Sequence, residues 1–217
     1  MTAAADPVSG VKICGLTEPA GFDACVEHGA DWVGFVFFQR SPRFVTPAQA
    51  GLLSARTKGG PGRVGLFVQP DEQAIADTLR HVALDVLQVY GVDDQQAHAI
   101  AQRFGLPVWL SRPVATRADL PVTTLAQRVL VEPRPPASAT RPGGNAQQLD
   151  WALLAGWQPD FRWMLAGGLT PQNVATAIGQ TGAPAVDTSS GVESAPGIKD
   201  GSAIAAFIRN ARAALRG

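Results

Sequence analysis

"DWVGFVFFQRSPRFVTPAQAGLLSARTKGGPGRVGLFV", residues 31 to 68, contains one complete unit of the fold. It opens on an apolar run rich in aromatic and β-branched residues, passes a polar turn, and restarts at Thr46 and Pro47 with an Ala- and Leu-rich stretch near 47 to 57. A second apolar run, "GRVGLFV", follows. Short apolar runs bounded by turn residues read as buried strands, and the stretch between them, with apolar residues at helical spacing, reads as a helix. Threonine before proline supports that start, because it places a capping hydroxyl ahead of a residue already fixed in the first-turn conformation.

The same alternation extends in both directions. Further strand-like runs are "VKICGL", "LDVLQVY", "LPVWLS", "QRVLVE", "RWMLAG" and "APAVDTS". Helix-like segments lie near 19 to 28, 71 to 81, 94 to 104, 115 to 126, 149 to 156, 171 to 180 and 200 to 215. Thr17 and Thr170 precede prolines as Thr46 does, while Gly29 and Gly105 mark helix ends. Eight strand-then-helix units in a chain of 217 residues leave an open doubly wound sheet or a closed (β/α)8 barrel. The count and the compact length select the barrel as one domain over 11–217, preceded by a disordered or extended segment, 1–10. No GxGxxG follows the first strand, which removes the usual support for a dinucleotide-binding sheet.

Composition narrows the partner. Lys plus Arg and Asp plus Glu each number 18, so no charge surplus points to nucleic acid or an anionic membrane. With no targeting segment and no long uncharged apolar run, the expectation is a cytoplasmic protein acting on a small molecule. Cys14 and Cys25 form no CxxC, and His28, His81 and His98 fall on polar helix positions, so neither a metal site nor a disulfide is expected.

In a barrel the active site lies where strands end and lead into helices, which gives positions a meaning. Cys14 ends the first strand; without that context a lone cysteine reads as a small buried hydrophobe. The seventh and eighth strands end in "LAGGLTPQNV" and "VDTSSGVESAPGIKD". Gly167 and Gly168 permit close backbone approach, and Ser189, Ser190 and Gly191 add hydroxyls and amides next door, a combination suited to a phosphate. The Pro- and Gly-rich stretch 133–148 reads as a lid over that face or as a tolerated insertion.

Taken in order, "KICGLT", "DWVGFVFFQRSPRFVTPAQA", "LAGGLTPQNV" and "VDTSSGVESAPGIKD" resemble the phosphoribosylanthranilate isomerase family of tryptophan biosynthesis, from Val11 to about Ile208. The resemblance implies a cofactor-free Amadori rearrangement, in which an acid opens the ribose ring and a base removes the sugar C2 proton. It implies Cys14 as the base, Glu132 as the acid, and Arg43 in "SPRF" as the receptor of the anthranilate carboxylate. A guanidinium suits that task because it offers two parallel charge-assisted bonds; Arg40 reads as solvated. Asp187 aligns with a sugar-contacting aspartate. Lys12, on the same strand face as Cys14, is expected to pair with Asp187, the alternative being to lend its charge to the thiol and lower its pKa toward neutral. The resemblance also implies a monomer or a homodimer.

Two departures stand out. The family's acid is an aspartate, and Glu132 is one methylene longer, a displacement of roughly an ångström that costs on the order of a hundredfold unless the scaffold adjusts. Tyr90 stands where the family usually has histidine. The competing readings are another phosphate-binding barrel of histidine or tryptophan synthesis, and a barrel that binds a sugar phosphate without turnover. Asp150, before Trp151, reads as a helix cap.

Overall fold

The computed structural model describes residues 7–136, 143 and 147–216. Eight strands form its centre: β1 (Gly10–Cys14), β2 (Trp32–Val36), β3 (Gly62–Val68), β4 (Val86–Tyr90), β5 (Val108–Val114), β6 (Arg128–Pro133), β7 (Trp163–Leu165) and β8 (Ala185–Thr188). Neighbours pair in parallel in chain order, and β8 returns to β1 to close the barrel, with Lys12 in register with Asp187. Among the described residues six helices run outside it: α1 (Pro19–Glu27), α2 (Pro47–Ser54), α3 (Glu72–Leu79), α4 (Asp94–Phe104), α5 (Val174–Thr181) and α6 (Gly201–Leu215).

The two-residue period of a strand divides the apolar side chains into two layers. On β1, Val11 and Ile13 join the layer between strands and helices, while Cys14 joins Trp32, Val64, Leu66, Trp109, Leu130 and Met164 inside the barrel. The end of the barrel remote from the strand C-termini is closed by Arg128, the first residue of β6. Its guanidinium lies between Trp32 and Trp109, 4.8 and 5.0 Å from the ring centroids, and donates to the carbonyls of Pro7 and Val8. The expected N-terminal segment is thus partly structural: residues 7–9 help to seal the barrel floor, whereas 1–6 lie outside the described residues.

Two expected helices are absent. In 115–126 the chain makes only a short 3-10 turn, Arg117–Asp119, because Pro121 removes a donor and β-branched Val122, Thr123 and Thr124 follow it. Val122 and Leu125 are 86% and 50% exposed, and Leu120 is the segment's buried apolar anchor, too little for a helical apolar face. In 149–156 a 3-10 turn, Trp151–Leu154, buries Trp151 and Leu154 and ends before Gly156, which has φ 69°. Asp150 does cap that turn, accepting from the Ala152 amide at 3.1 Å.

The threonine caps divide. Thr46 forms a full capping box with Gln49 on α2. Thr17 instead donates to the Gly197 carbonyl at 2.6 Å, leaving Glu18 as the N-cap of α1 without a side-chain bond. After Thr170 the chain turns before α5 begins at Val174, and Asn173 Oδ1 accepts from the Thr170 amide. Gly29 and Gly105 end α1 and α4 at positive φ, as expected. One element was not anticipated: after β8 a 3-10 turn leads into an antiparallel hairpin, β9 (Glu193–Ala195) and β10 (Ile198–Lys199), turned at Pro196 and Gly197. A Pro-Gly dipeptide is an ordinary turn signal and was available in the sequence.

Candidate active site

The C-terminal ends of the strands surround a pocket open to solvent. Cys14 from β1, Tyr90 from β4, Glu132 from β6 and Asp187 from β8 line it, because each is the last or next-to-last residue of its strand and faces inward. Arg43 reaches it from the loop between β2 and α2. Gly167, Gly168, Ser189 and Ser190 line the side formed by the ends of β7 and β8.

Lys12 and Asp187 meet as expected, Nζ to Oδ1 at 2.9 Å, both buried. Burial opposes charge on Lys12, yet Asp187 and Cys14 beside it carry its pKa above the ordinary value. The idea that positive charge lowers the Cys14 thiol toward neutral is corrected here. Burial pushes the thiol up, and the lowering by Lys12 is insufficient to reverse it, with the Asp187 carboxylate adding to the rise. The thiol is thus protonated at rest.

Glu132 is the clearest electrostatic feature. Burial and then the nearby Asp187 carboxylate raise it to about 8, against lowering by Lys12 and by hydrogen bonds from Ser111 and Tyr90. At neutral pH it carries a proton, which is the state a general acid requires. Tyr90, raised well above its ordinary value by burial and by Glu132, keeps its phenolic hydrogen.

Arg43 is held by a partner that sequence reasoning missed. Glu193, on β9, takes its Nε at 2.6 Å and its Nη2 at 2.8 Å in a two-point pair, and also receives Lys199 Nζ at 2.8 Å. Lys199, buried on β10, binds the Ser189 carbonyl at 2.9 Å, and Ser189 Oγ donates to the Cys14 carbonyl at 3.0 Å. A chain of polar contacts therefore runs from the Arg43 loop through the hairpin to the backbone of Cys14. Burial alone would raise Glu193, but Arg43 and Lys199 reverse it and hold it below the usual carboxylate range. Arg40, by contrast, is exposed.

The glycine cluster separates into two uses. Gly167 and Gly168 have φ of 93° and 64°, and a Cβ on Gly167 would lie 2.1 Å from Pro133 Cδ, so both conformation and space demand glycine beside the pocket. Gly191 does not line the pocket. A Cβ there would fall 1.8 Å from the Leu169 carbonyl oxygen, so its smallness serves the packing of β8's exit against β7's exit. Most of the expected lid, residues 137–142 and 144–146, lies outside the described residues. Gly143 and Gln147 border the pocket. Cys25, buried in α1 and pushed up to about 12 by burial, is remote from this chemistry. His28, His81 and His98 are all exposed. Among the described residues no helix is long and apolar enough to cross a membrane.

Comparison with known proteins bears on this pocket. A family model described as N-(5'phosphoribosyl)anthranilate (PRA) isomerase matches residues 11–210. An N-(5'-phosphoribosyl)anthranilate isomerase of Paracoccus denitrificans is 50% identical over 210 residues, covering 94% of this chain and 98% of its own. A solved phosphoribosyl anthranilate isomerase from Thermotoga maritima has a TM-score of 0.81 at 33% identity, over 94% of this chain and 99% of that one. A further structure of such an isomerase, in complex with reduced 1-(o-carboxyphenylamino)-1-deoxyribulose 5-phosphate, has a TM-score of 0.80 at 32% identity, with the same coverage.

Proposed function

The chain belongs to the N-(5'-phosphoribosyl)anthranilate isomerase family, and from that premise we infer that Cys14 and Glu132 are the base and the acid of its reaction. The enzyme is an isomerase acting on N-(5'-phosphoribosyl)anthranilate, the step of tryptophan biosynthesis that yields 1-(2-carboxyphenylamino)-1-deoxyribulose 5-phosphate. Neutral Glu132 gives its proton to the ribose ring oxygen as the C1–O bond breaks and the anthranilate nitrogen closes a C1=N bond. The Cys14 thiolate then removes the C2 proton, the electron pair moves into C1=C2, and nitrogen recovers its lone pair. The resulting enolamine becomes the ketone when C1 takes up a proton and the C2 hydroxyl gives one up. No net proton is gained or lost.

What supports this assignment is that Glu132 and Cys14 line one pocket, where burial and Asp187 raise Glu132 to about 8. A Cβ on Gly143 would lie 3.0 Å from Glu132 Oε2, so glycine there leaves room beside the longer carboxyl. Arg43, clamped by Glu193, receives the anthranilate carboxylate. The phosphate lies against Gly167, Gly168, Ser189 and Ser190, and Asp187 holds a sugar hydroxyl while paired to Lys12. The reaction needs no metal or nucleotide.

The test is the fluorescence decay of freshly generated phosphoribosylanthranilate. The natural chain turns it over; Cys14→Ser and Glu132→Gln each lower kcat by about 10²–10⁴-fold, the usual worth of a general acid or base, while affinity for the reduced product analogue is retained. Undiminished turnover by either variant removes that residue from its role.

A further inference from the structure

Arg43 poses a problem of charge that the hairpin of β9 and β10 resolves. A guanidinium is held firmly by a two-point carboxylate pair, and Glu193 supplies one at Nε and Nη2. That pair by itself has no net charge, and a neutral pair is a weak receptor for a further anion. Lys199 is the third member. Its Nζ donates to Glu193 Oε1 at 2.8 Å, the same oxygen that accepts from Arg43 Nε.

The bonding of Lys199 identifies its charge state. Nζ also donates to the Ser189 carbonyl at 2.9 Å and to Ser189 Oγ at 3.3 Å. Ser189 Oγ gives its one hydrogen to the Cys14 carbonyl, so it meets Lys199 through a lone pair. Three acceptors match the three hydrogens of an ammonium, where a neutral amine has two. Burial lowers Lys199 from its ordinary value, and Glu193 opposes the fall. A second carboxylate, Glu18, accepts from the Lys199 backbone amide at 3.3 Å. Arg43, Glu193 and Lys199 therefore sum to one positive charge, with each side chain at most 6% exposed. Close approach is built in: a Cβ on Gly15 would lie 2.5 Å from Arg43 Cδ and 3.0 Å from Ser189 Oγ. Arg43 and Ser189 line the pocket, and the hairpin stands behind them.

We propose that Lys199 is a positioning residue that sets specificity: by sharing Glu193 it offsets the charge of the clamp, so that Arg43 is fixed in place and the cluster keeps one positive charge for the carboxylate on the substrate's aromatic ring. The proposal rests on Arg43 being the receptor of that carboxylate. Glu193 alone would fix the guanidinium and cancel its charge. Lys199 separates the two effects.

The experiment measures by calorimetry the dissociation constants of two probes, the reduced product analogue and the same compound built on aniline in place of anthranilate, and reads their ratio. The natural chain should bind the carboxylate probe about 10- to 100-fold more tightly, the scale of a charge-assisted bond. Lys199→Met keeps the stem and removes the charge, and should cut that preference about tenfold. Adding Glu193→Gln returns the sum to one positive charge and should restore the preference to within about threefold of the natural chain. A phosphate side weakened through Ser189 would lower both affinities alike, and a loosened hairpin would not be rescued by a second substitution. An unchanged ratio in Lys199→Met overturns the proposal, as does a double variant no better than Lys199→Met. If Lys199→Met does not fold, the double variant decides: a preference about tenfold below that of the natural chain overturns the proposal equally. Equal binding of the two probes by the natural chain would remove Arg43 as the receptor and the proposal with it, so the two failures are distinguishable.

Discussion

Cys14 and Glu132 both hold their protons more tightly than free side chains do, and that has a kinetic consequence. Burial raises both, Glu132 to about 8 and the thiol above its ordinary value. The form that the proposed mechanism uses, thiolate with protonated carboxyl, is therefore a minor arrangement of the pair, and the two titrate as a coupled unit. Raising the pH from 7 toward 8 removes a proton from the pair and increases the reactive form. The expected profile of kcat/KM rises about fivefold from pH 7 to pH 8 and levels toward pH 9. A profile that is flat between pH 7 and 8 contradicts the raised value of Glu132. Cys14 and Glu132 were both legible as candidates, because family motifs place them at strand ends. Their protonation states were not, because burial and the pairing of Lys12 with Asp187 join residues 175 apart in the chain.

At the scale of elements, three threonines with nearly the same sequence setting behave differently. Thr46 satisfies the Gln49 amide, and Gln49 returns the contact to the Thr46 amide. Its replacement by alanine should cost about 1 kcal/mol, read as a fall in Tm of roughly 2–4 °C in a chain of this size; an unchanged Tm would show that the box contributes nothing. Thr17 carries the same promise in sequence, but the hairpin turn at Gly197, 180 residues away, takes its hydroxyl. The segment 115–126 fails as a helix for a local reason that was readable: a proline followed by three β-branched residues opposes helix more strongly than its few apolar residues favour it. Glu193 and Lys199 escaped notice because "VESAPGIKD" reads as loop, and only the folded hairpin places both under Arg43 and Ser189.

Across the whole molecule the barrel separates stability from chemistry. Arg128 and its two tryptophans fill the end away from the pocket, with the carbonyls of residues 7 and 8 closing it. Arg128→Ala removes a fully buried side chain and its ring contacts, for an expected loss of about 3 kcal/mol or more. At 25 °C kcat should stay close to that of the natural chain, because the pocket and the proposed acid and base lie at the opposite strand ends. Chemical denaturation and steady-state kinetics on the same preparation check both halves; a lowered kcat with unchanged stability would contradict the separation. The sequence by itself determined the eight strands, six of the eight expected helices, the barrel, and which residues stand at strand ends, since those follow from local periodicity and the order of motifs. Only the tertiary structure decided that Glu193 clamps Arg43, that burial and Asp187 raise Glu132 to about 8, and that burial outweighs Lys12 at the Cys14 thiol. Those outcomes depend on water being excluded and on charges from distant strands being brought within a few ångströms, conditions that exist only once β8 has closed against β1.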